Sequence, residues 1–389
     1  MKLSAPHIDK SDIRSIKNVL KSEFISTSSK TVEKFEEKIS NFCNTKYSIA
    51  LNSGTSAIHL GLKILGVDNN TEVIVPSLTF IATVNPILYL GAKPIIFDVD
   101  EYHNLKIRDV IDFIKNKTTF KNNKTINKKT KKIIKVVIVA HMWGRVCDFT
   151  ELKNICKKRN IFILEDAAEA LGSYIKINKY KHCGSMGDIG CLSFNANKII
   201  TTGSGGSIVT NNKKFYERVQ YLANQAKNDT FNYIHNECGY NYKMNSISAA
   251  LGISQLRRLK KKIAQRERIY KRYLFNFKNS KNIKILPYDS KSKINYWMNV
   301  ISFKKLNFKQ TYNLSLSLSK KKIETRRIWR PLNLQLHLKK FQTHNILNAS
   351  KLYFSSLCLP SDDNISNSDV DKISNHIKKF HETVVNNKL

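Results

Sequence analysis

Ile163-Leu164-Glu165-Asp166-Ala167-Ala168-Glu169-Ala170-Leu171-Gly172 opens a segment that continues through Gly187-Asp188-Ile189-Gly190-Cys191-Leu192-Ser193-Phe194-Asn195-Ala196-Asn197-Lys198 and closes with Thr201-Thr202-Gly203-Ser204-Gly205-Gly206. The first apolar run delivers a carboxylate, Asp166, to the end of an expected strand. The second delivers an amine, Lys198, into a turn with three glycines after it. Taken singly, an Asp after a strand caps the next helix, and a Lys in a polar turn is solvated. Together they are the two groups that a pyridoxal phosphate (PLP) site requires: an amine for the Schiff base and an acid to keep the pyridine nitrogen protonated.

Upstream, Tyr47–Leu51 reads as a short buried strand that runs through Asn52-Ser53-Gly54-Thr55-Ser56 into a helix with Ile58, Leu62 and Leu65 on one face. The first amides of a helix lack partners and sit at the positive end of its dipole, so this turn suits a phosphate. Gly54 allows close approach, and Thr55 and Ser56 add hydroxyls. An ordinary capped helix has the same pattern. Glu72–Pro76 reads as the next strand, followed by Ser77-Leu78-Thr79-Phe80 and a helix over 81–90. Lys93–Val99 and the β-branched run Ile133–Ala140 are further strands, with a helix over 107–114 between them. Strands alternating with helices predict a mostly parallel sheet, whose ligands bind beyond the carboxyl ends of the strands. The Ser53–Ser56 turn, the Ser77–Phe80 turn and Asp166 all lie there.

At 389 residues and 41% hydrophobic, the chain is long enough for two domains. We expect a large α/β domain over 25–265 and a smaller α+β domain over 266–389, joined by residues 1–24. No apolar run approaches the ~18 residues of a membrane span. The seven cysteines are scattered without metal-ligand spacing, which points to a reduced, cytoplasmic protein without structural metal. The balance of 66 Lys+Arg against 30 Asp+Glu gives a net charge of +36. Such a charge fits a polyanionic partner, but Lys, Asn and Ile are abundant throughout, and compositional drift is the preferred reading; no nucleic-acid partner is expected. The Lys-rich stretch 115–132 reads as a low-complexity, mobile insertion.

The words EDAAEALG, GDIGCLSFNANK and ITTGSGG resemble the nucleotide-sugar aminotransferases of the DegT/DnrJ/EryC1/StrS family, and further matching words extend the resemblance from about Leu3 to Pro360. It implies the PLP-dependent transferase fold type I, aspartate-aminotransferase-like, with Lys198 as Schiff-base lysine and Asp166 at the pyridine nitrogen. It also implies Gly54, Thr55, Ser56 and Ser193 around the cofactor phosphate, Phe80 against the ring, and Glu169 near the phenolic oxygen. The word Gly239-Tyr240-Asn241-Tyr242-Lys243-Met244 places Asn241 at a homodimer interface, where it reaches the neighbouring subunit's phosphate. Lys243 stands where relatives have Arg, and no phosphate role is assigned to it.

Asn295-Tyr296-Trp297-Met298-Asn299 and Thr325-Arg326-Arg327-Ile328-Trp329 narrow the resemblance to the branch that aminates 4-keto-6-deoxy nucleotide sugars, with L-glutamate as donor. Arg326 reads equally as an anion contact or a surface residue, and the role of His141 stays open. Two alternatives compete. A sugar dehydratase of the same family carries histidine at the lysine position, and Lys198 argues against it. A PLP-binding regulatory or nucleic-acid-binding protein is motivated only by the charge.

Overall fold

The computed structural model describes residues 1–22, 24–229 and 231–386. Eight strands form the main path of its large sheet: β1 (Tyr47–Leu51), β2 (Thr71–Pro76), β3 (Lys93–Phe97), β4 (Ile133–Ala140), β5 (Phe162–Asp166), β6 (Ile189–Ser193), β7 (Gly206–Thr210) and β8 (Gln342–His344). Their spatial order is β1-β7-β6-β5-β4-β2-β3-β8. Pairing is parallel from β6 to β8 across the sheet, and β7 runs antiparallel to both of its neighbours. The carboxyl ends of β1, β2, β4, β5 and β6 therefore meet at one edge, where β7 begins.

The period of two decides which face each side chain serves. In β4, Val137 and Val139 join one buried cluster, and Val136 and Ile138 join the cluster on the opposite face. Both faces are covered, which is why β4 is a continuous apolar run and not an alternating one. Helices α1 (Lys10–Ser22), α2 (Lys30–Cys43) and α3 (Gly54–Ile64) precede or follow β1. Ser29 caps α2 and Ser53 caps α3, each accepting from an amide of the first turn.

Two elements differ from the sequence-based expectation. The stretch 115–132 is no mobile loop: Thr118–Lys121 and Lys124–Asn127 form an antiparallel hairpin that joins the large sheet through Ile126 opposite Ile133. Its turn residues, Asn122 and Asn123, have φ of 49° and 58°, the conformation of the tight hairpin turns that asparagine tolerates. The helix expected over 81–90 is a 3₁₀ turn, Ile81–Thr83, and a five-residue helix, Asn85–Tyr89, with Pro86 in its first turn. After Asn245 come two helices, α4 (Ser246–Arg257) and α5 (Leu259–Phe277), separated at Arg258. Finally, α1 packs on α4, tied by Ser11 to Ser254 at 3.1 Å and by Arg258 to Asp9 at 2.5 Å.

A second sheet pairs Ile283–Ile285, Asn299–Phe303, Ser356–Leu359 and Arg326–Arg327 in that order. It packs with α5 and the C-terminal helix Asn367–Asn386. No helix among the described residues is long and apolar enough to cross a membrane.

Candidate active site

A cavity of about 320 Å³ lies at the carboxyl edge of the large sheet. Its wall brings together Gly54, Thr55, Phe80, Asp166, Glu169, Ser193 and Lys198 from five separate stretches of chain. Ser56 and Asn241 are not on that wall. The Ser56 hydroxyl bonds Asn52 Oδ1 at 2.7 Å within the α3 cap. Asn241 is exposed, and its carbonyl accepts from Asn52 Nδ2 at 3.2 Å.

Asp166, the last residue of β5, is 8% exposed. Its Oδ2 accepts the Thr83 hydroxyl at 2.6 Å, and Oδ1 accepts the Ala168 amide at 3.1 Å. Thr83 in turn meets Thr79 Oγ1 at 2.7 Å. The 3₁₀ turn at 81–83 thus holds a threonine against the carboxylate. An ionised carboxyl has about four acceptor sites, so Asp166 retains capacity toward the cavity. Sequence reasoning missed Thr83, a common residue type with no motif of its own.

Lys198 sits in a turn closed by its amide donating to Asn195 O at 3.0 Å. Its side chain is 12% exposed, with Nζ 3.6 Å from Glu169 Oε1. The same nitrogen lies 4.3 Å from the centroid of the Trp297 ring. Glu169 also accepts the Trp143 amide at 2.7 Å and Trp329 Nε1–H at 3.3 Å. Burial pushes the Glu169 carboxyl above its ordinary value; Lys198, the Trp143 amide and the Trp329 N–H oppose the rise, and Asp166 adds to it.

Gly54 and Thr55 open α3 at the cavity, where first-turn amides have no acceptor within the helix. Ser193, Ser204 and Gly205 face the same end. Close passage of β7 requires glycine at 206, because a Cβ there would collide with the Ser53 carbonyl. A helix N-terminus with converging hydroxyls is an anion cradle.

The opposite wall is aromatic. Phe80, 46% exposed, meets Trp329 at 5.0 Å; Trp329 stacks on Trp143 at 5.4 Å, and Trp143 on Trp297 at 6.2 Å. Trp143 holds φ of 60°, a conformation that a bulky residue adopts only when its surroundings impose it. Trp143 is held at both ends, its amide donating to Glu169 Oε2 at 2.7 Å and its indole N–H to His103 Nδ1 at 3.2 Å. These aromatic residues lie far apart in sequence, and no local spacing links them.

His141 lines the cavity, and its Nδ1 accepts the Cys147 amide at 3.1 Å. That leaves Nε2–H to donate to Glu165 Oε2 at 2.9 Å. Burial raises the Glu165 carboxyl, but His141 and the amides of Gly187 and Gly184 outweigh it and hold the group below its ordinary value. Glu165 thus anchors the loop 184–187 behind the site. Arg326 reaches the cavity mouth, more than half exposed and 3.0 Å from Glu324 Oε1. Arg327 points elsewhere, its guanidinium 3.9 Å from the Phe308 ring.

Residues 6–378 match the DegT/DnrJ/EryC1/StrS aminotransferase family. The chain is 35% identical over 369 residues to GDP-perosamine synthase of Escherichia coli O157:H7, covering 94% of each. It is 33% identical over 296 residues to UDP-4-amino-4,6-dideoxy-N-acetyl-beta-L-altrosamine transaminase of Campylobacter jejuni, covering 75% of this chain and 74% of that one. A Streptococcus pneumoniae structure solved in a PLP form superposes with a TM-score of 0.88 at 25% identity, covering 99% of both chains. That likeness confirms the fold-type-I expectation, with its large mostly parallel sheet. With a lysine and a buried aspartate meeting beside an anion cradle, and with the family matched over nearly its whole length, the chain belongs to the DegT/DnrJ/EryC1/StrS aminotransferases.

Proposed function

We propose that this protein is a PLP-dependent transaminase that moves an amino group from L-glutamate to a 4-keto-6-deoxy nucleotide sugar, for surface-polysaccharide or nonulosonic-acid synthesis. The observation that carries the reading is the presence of Lys198 Nζ and the Asp166 carboxylate on one cavity wall, with the α3 N-terminus beside them. The donor set fits PLP: an amine, an acid, an anion cradle and an aromatic wall. The names of the Escherichia coli and Campylobacter jejuni relatives support a diphosphate-linked sugar aminated at C4.

When bound, PLP supplies an electron sink for the carbanion at the α-carbon of the amino donor. Asp166, oriented by Thr83, would hold a proton at the ring nitrogen. Lys198 Nζ would serve as general base and acid, taking the proton from the donor's α-carbon and delivering it across the same face. Gly54, Thr55 and Ser193 would hold the phosphate, and Phe80 would cover the ring. Glu169, with its carboxyl raised by burial, takes a proton more readily than a surface glutamate, which eases its approach to the ring's phenolic oxygen. Arg326 at the mouth binds the donor carboxylate or the sugar diphosphate. Asn241, exposed and off this chain's own cavity wall, is free to reach the site of a partner subunit in a cytoplasmic homodimer.

The test is isotope transfer. With ¹⁵N-glutamate and a 4-keto-6-deoxy nucleotide sugar, the sugar product carries the label and 2-oxoglutarate forms in equal amount. Label retained in glutamate, with the keto sugar consumed, would point to the dehydratase alternative.

A further inference from the structure

We propose that Ser4 and Trp297 are positioning residues for Lys198, and that the buried guanidinium of Arg266 holds both in place. The inference rests on the amine role given to Lys198 above and deepens it: the N-terminal segment becomes part of the active site.

The peptide carbonyl of Asn197, immediately before Lys198, accepts two hydrogen bonds. Trp297 Nε1–H donates at 2.8 Å and the Ser4 hydroxyl at 3.1 Å. Neither donor belongs to the lysine turn, whose own closure is the single bond from the Lys198 amide to Asn195. The turn is therefore held from outside. Trp297 is fully buried and acts twice, because its ring also lies 4.3 Å from Lys198 Nζ.

Arg266 joins the two donors. It is 1% exposed, with Nη1 donating to the Trp297 carbonyl at 2.7 Å and Nη2 to Ser4 Oγ at 3.3 Å. Asp363 supplies its counter-charge at 3.1 Å. A guanidinium only donates, so the Ser4 oxygen accepts from Arg266 and its one proton is left for Asn197. The direction of the chain from arginine to serine to carbonyl is thereby set.

The segment carrying Ser4 is anchored on both sides. Leu3 O accepts the Ser361 amide at 2.8 Å, and the Ala5 amide donates to Asp362 Oδ2 at 3.0 Å. The Leu3 amide donates to Glu324 Oε2 at 3.1 Å, and the other oxygen of Glu324 pairs with Arg326 at 3.0 Å. One N-terminal segment thus braces the lysine turn and, through Glu324, the arginine at the cavity mouth. Ser4 acts on the first and not on the second.

The variants are Ser4→Ala, Ser4→Thr, Trp297→Phe and the Ser4→Ala/Trp297→Phe double. Phenylalanine keeps an aromatic face and removes the N–H; threonine keeps the hydroxyl. Two readouts apply besides melting temperature: the rate at which a visible band forms when PLP is mixed with cofactor-free protein, and kcat against KM for the nucleotide sugar. Each single loss slows band formation and kcat about fivefold, the effect of one hydrogen bond. The double variant approaches ~10²-fold, the scale of an ångström-level misplacement. KM for the sugar stays within about twofold, and Ser4→Thr recovers most of the loss. A double variant with parental band formation and kcat overturns the proposal, as does Ser4→Thr behaving like Ser4→Ala. If the double variant does not fold, the two single variants and the threonine decide. A parent that forms no band overturns the amine role of Lys198 and this inference with it; a normal parent with unmoved variants overturns this inference alone.

Discussion

One wall of the cavity comes from the carboxyl edge of the large sheet, and the other is the aromatic wall of Phe80, Trp143, Trp297 and Trp329 with Arg326 beside it, supported by the N-terminal segment. The first wall carries Asp166, Ser193, Lys198 and the α3 N-terminus, each within five residues of a strand end. Paired backbone on both sides of β5 and β6 fixes where those groups stand. The second wall carries Trp329 and Arg326, and its geometry rests on contacts that span the chain, such as Trp329 Nε1 to Glu169 and the Leu3 amide to Glu324, whose other oxygen pairs with Arg326. The proposed proton chemistry falls on the strand-end wall, and the more than half-exposed Arg326 falls on the other. A strand end tolerates little displacement, whereas an edge strand of two residues, Arg326–Arg327, can shift with few lost bonds.

Substitutions on the two walls separate these roles. Asp166→Asn removes the proton held at the ring nitrogen and leaves Thr83 a partner; the half-reaction with glutamate falls on the order of 10²-fold or more, the low end of general acid–base contributions. Stopped-flow measurement of the first half-reaction reads this directly, and a loss confined to KM would contradict it. Arg326→Gln removes one charge-assisted contact, worth roughly 1.5–3 kcal/mol. It raises KM for the anionic substrate it meets about tenfold or more and leaves the rate with saturating substrate near parental. An unchanged KM for both glutamate and the nucleotide sugar would return Arg326 to the status of a surface residue.

The smallest effect lies away from both walls. Glu36 accepts the Ala50 amide at 2.8 Å, and burial pushes its carboxyl up to about 7. A carboxyl raised in the folded state contributes stability below its unfolded pKa and loses it as pH rises through about 7. Parent protein therefore loses melting temperature relative to Glu36→Gln between pH 5 and pH 8, by about 1 °C for each kcal/mol at 389 residues. A constant difference across that range would remove Glu36 from the account.

The rigid wall was legible in the sequence because its groups follow apolar runs at short range: Asp166 after Ile163–Glu165, Lys198 five residues beyond Ser193, Gly54 after Leu51. The other wall was only partly legible. Trp143, Trp297 and Trp329 come together over nearly two hundred residues of chain, and no local period marks them. The hairpin at 118–127 was read as a loop because lysine and asparagine dominate it, yet Asn122–Asn123 between Thr-Thr-Phe and Thr-Ile-Asn was a turn signal. The helix expected at 81–90 breaks before Pro86, a local signal that the apolar spacing outweighed in the reading, and the 3₁₀ turn ahead of it holds Thr83 against Asp166.

The central claim is that Lys198 is the amine of a transaminase. Its most direct test is the visible spectrum of the purified protein with PLP, before and after L-glutamate, beside Lys198→Ala. A yellow band in the parent that bleaches with glutamate, and no such band in the variant, is the predicted result. A parent that stays colourless, or a band that glutamate leaves unchanged, would contradict it.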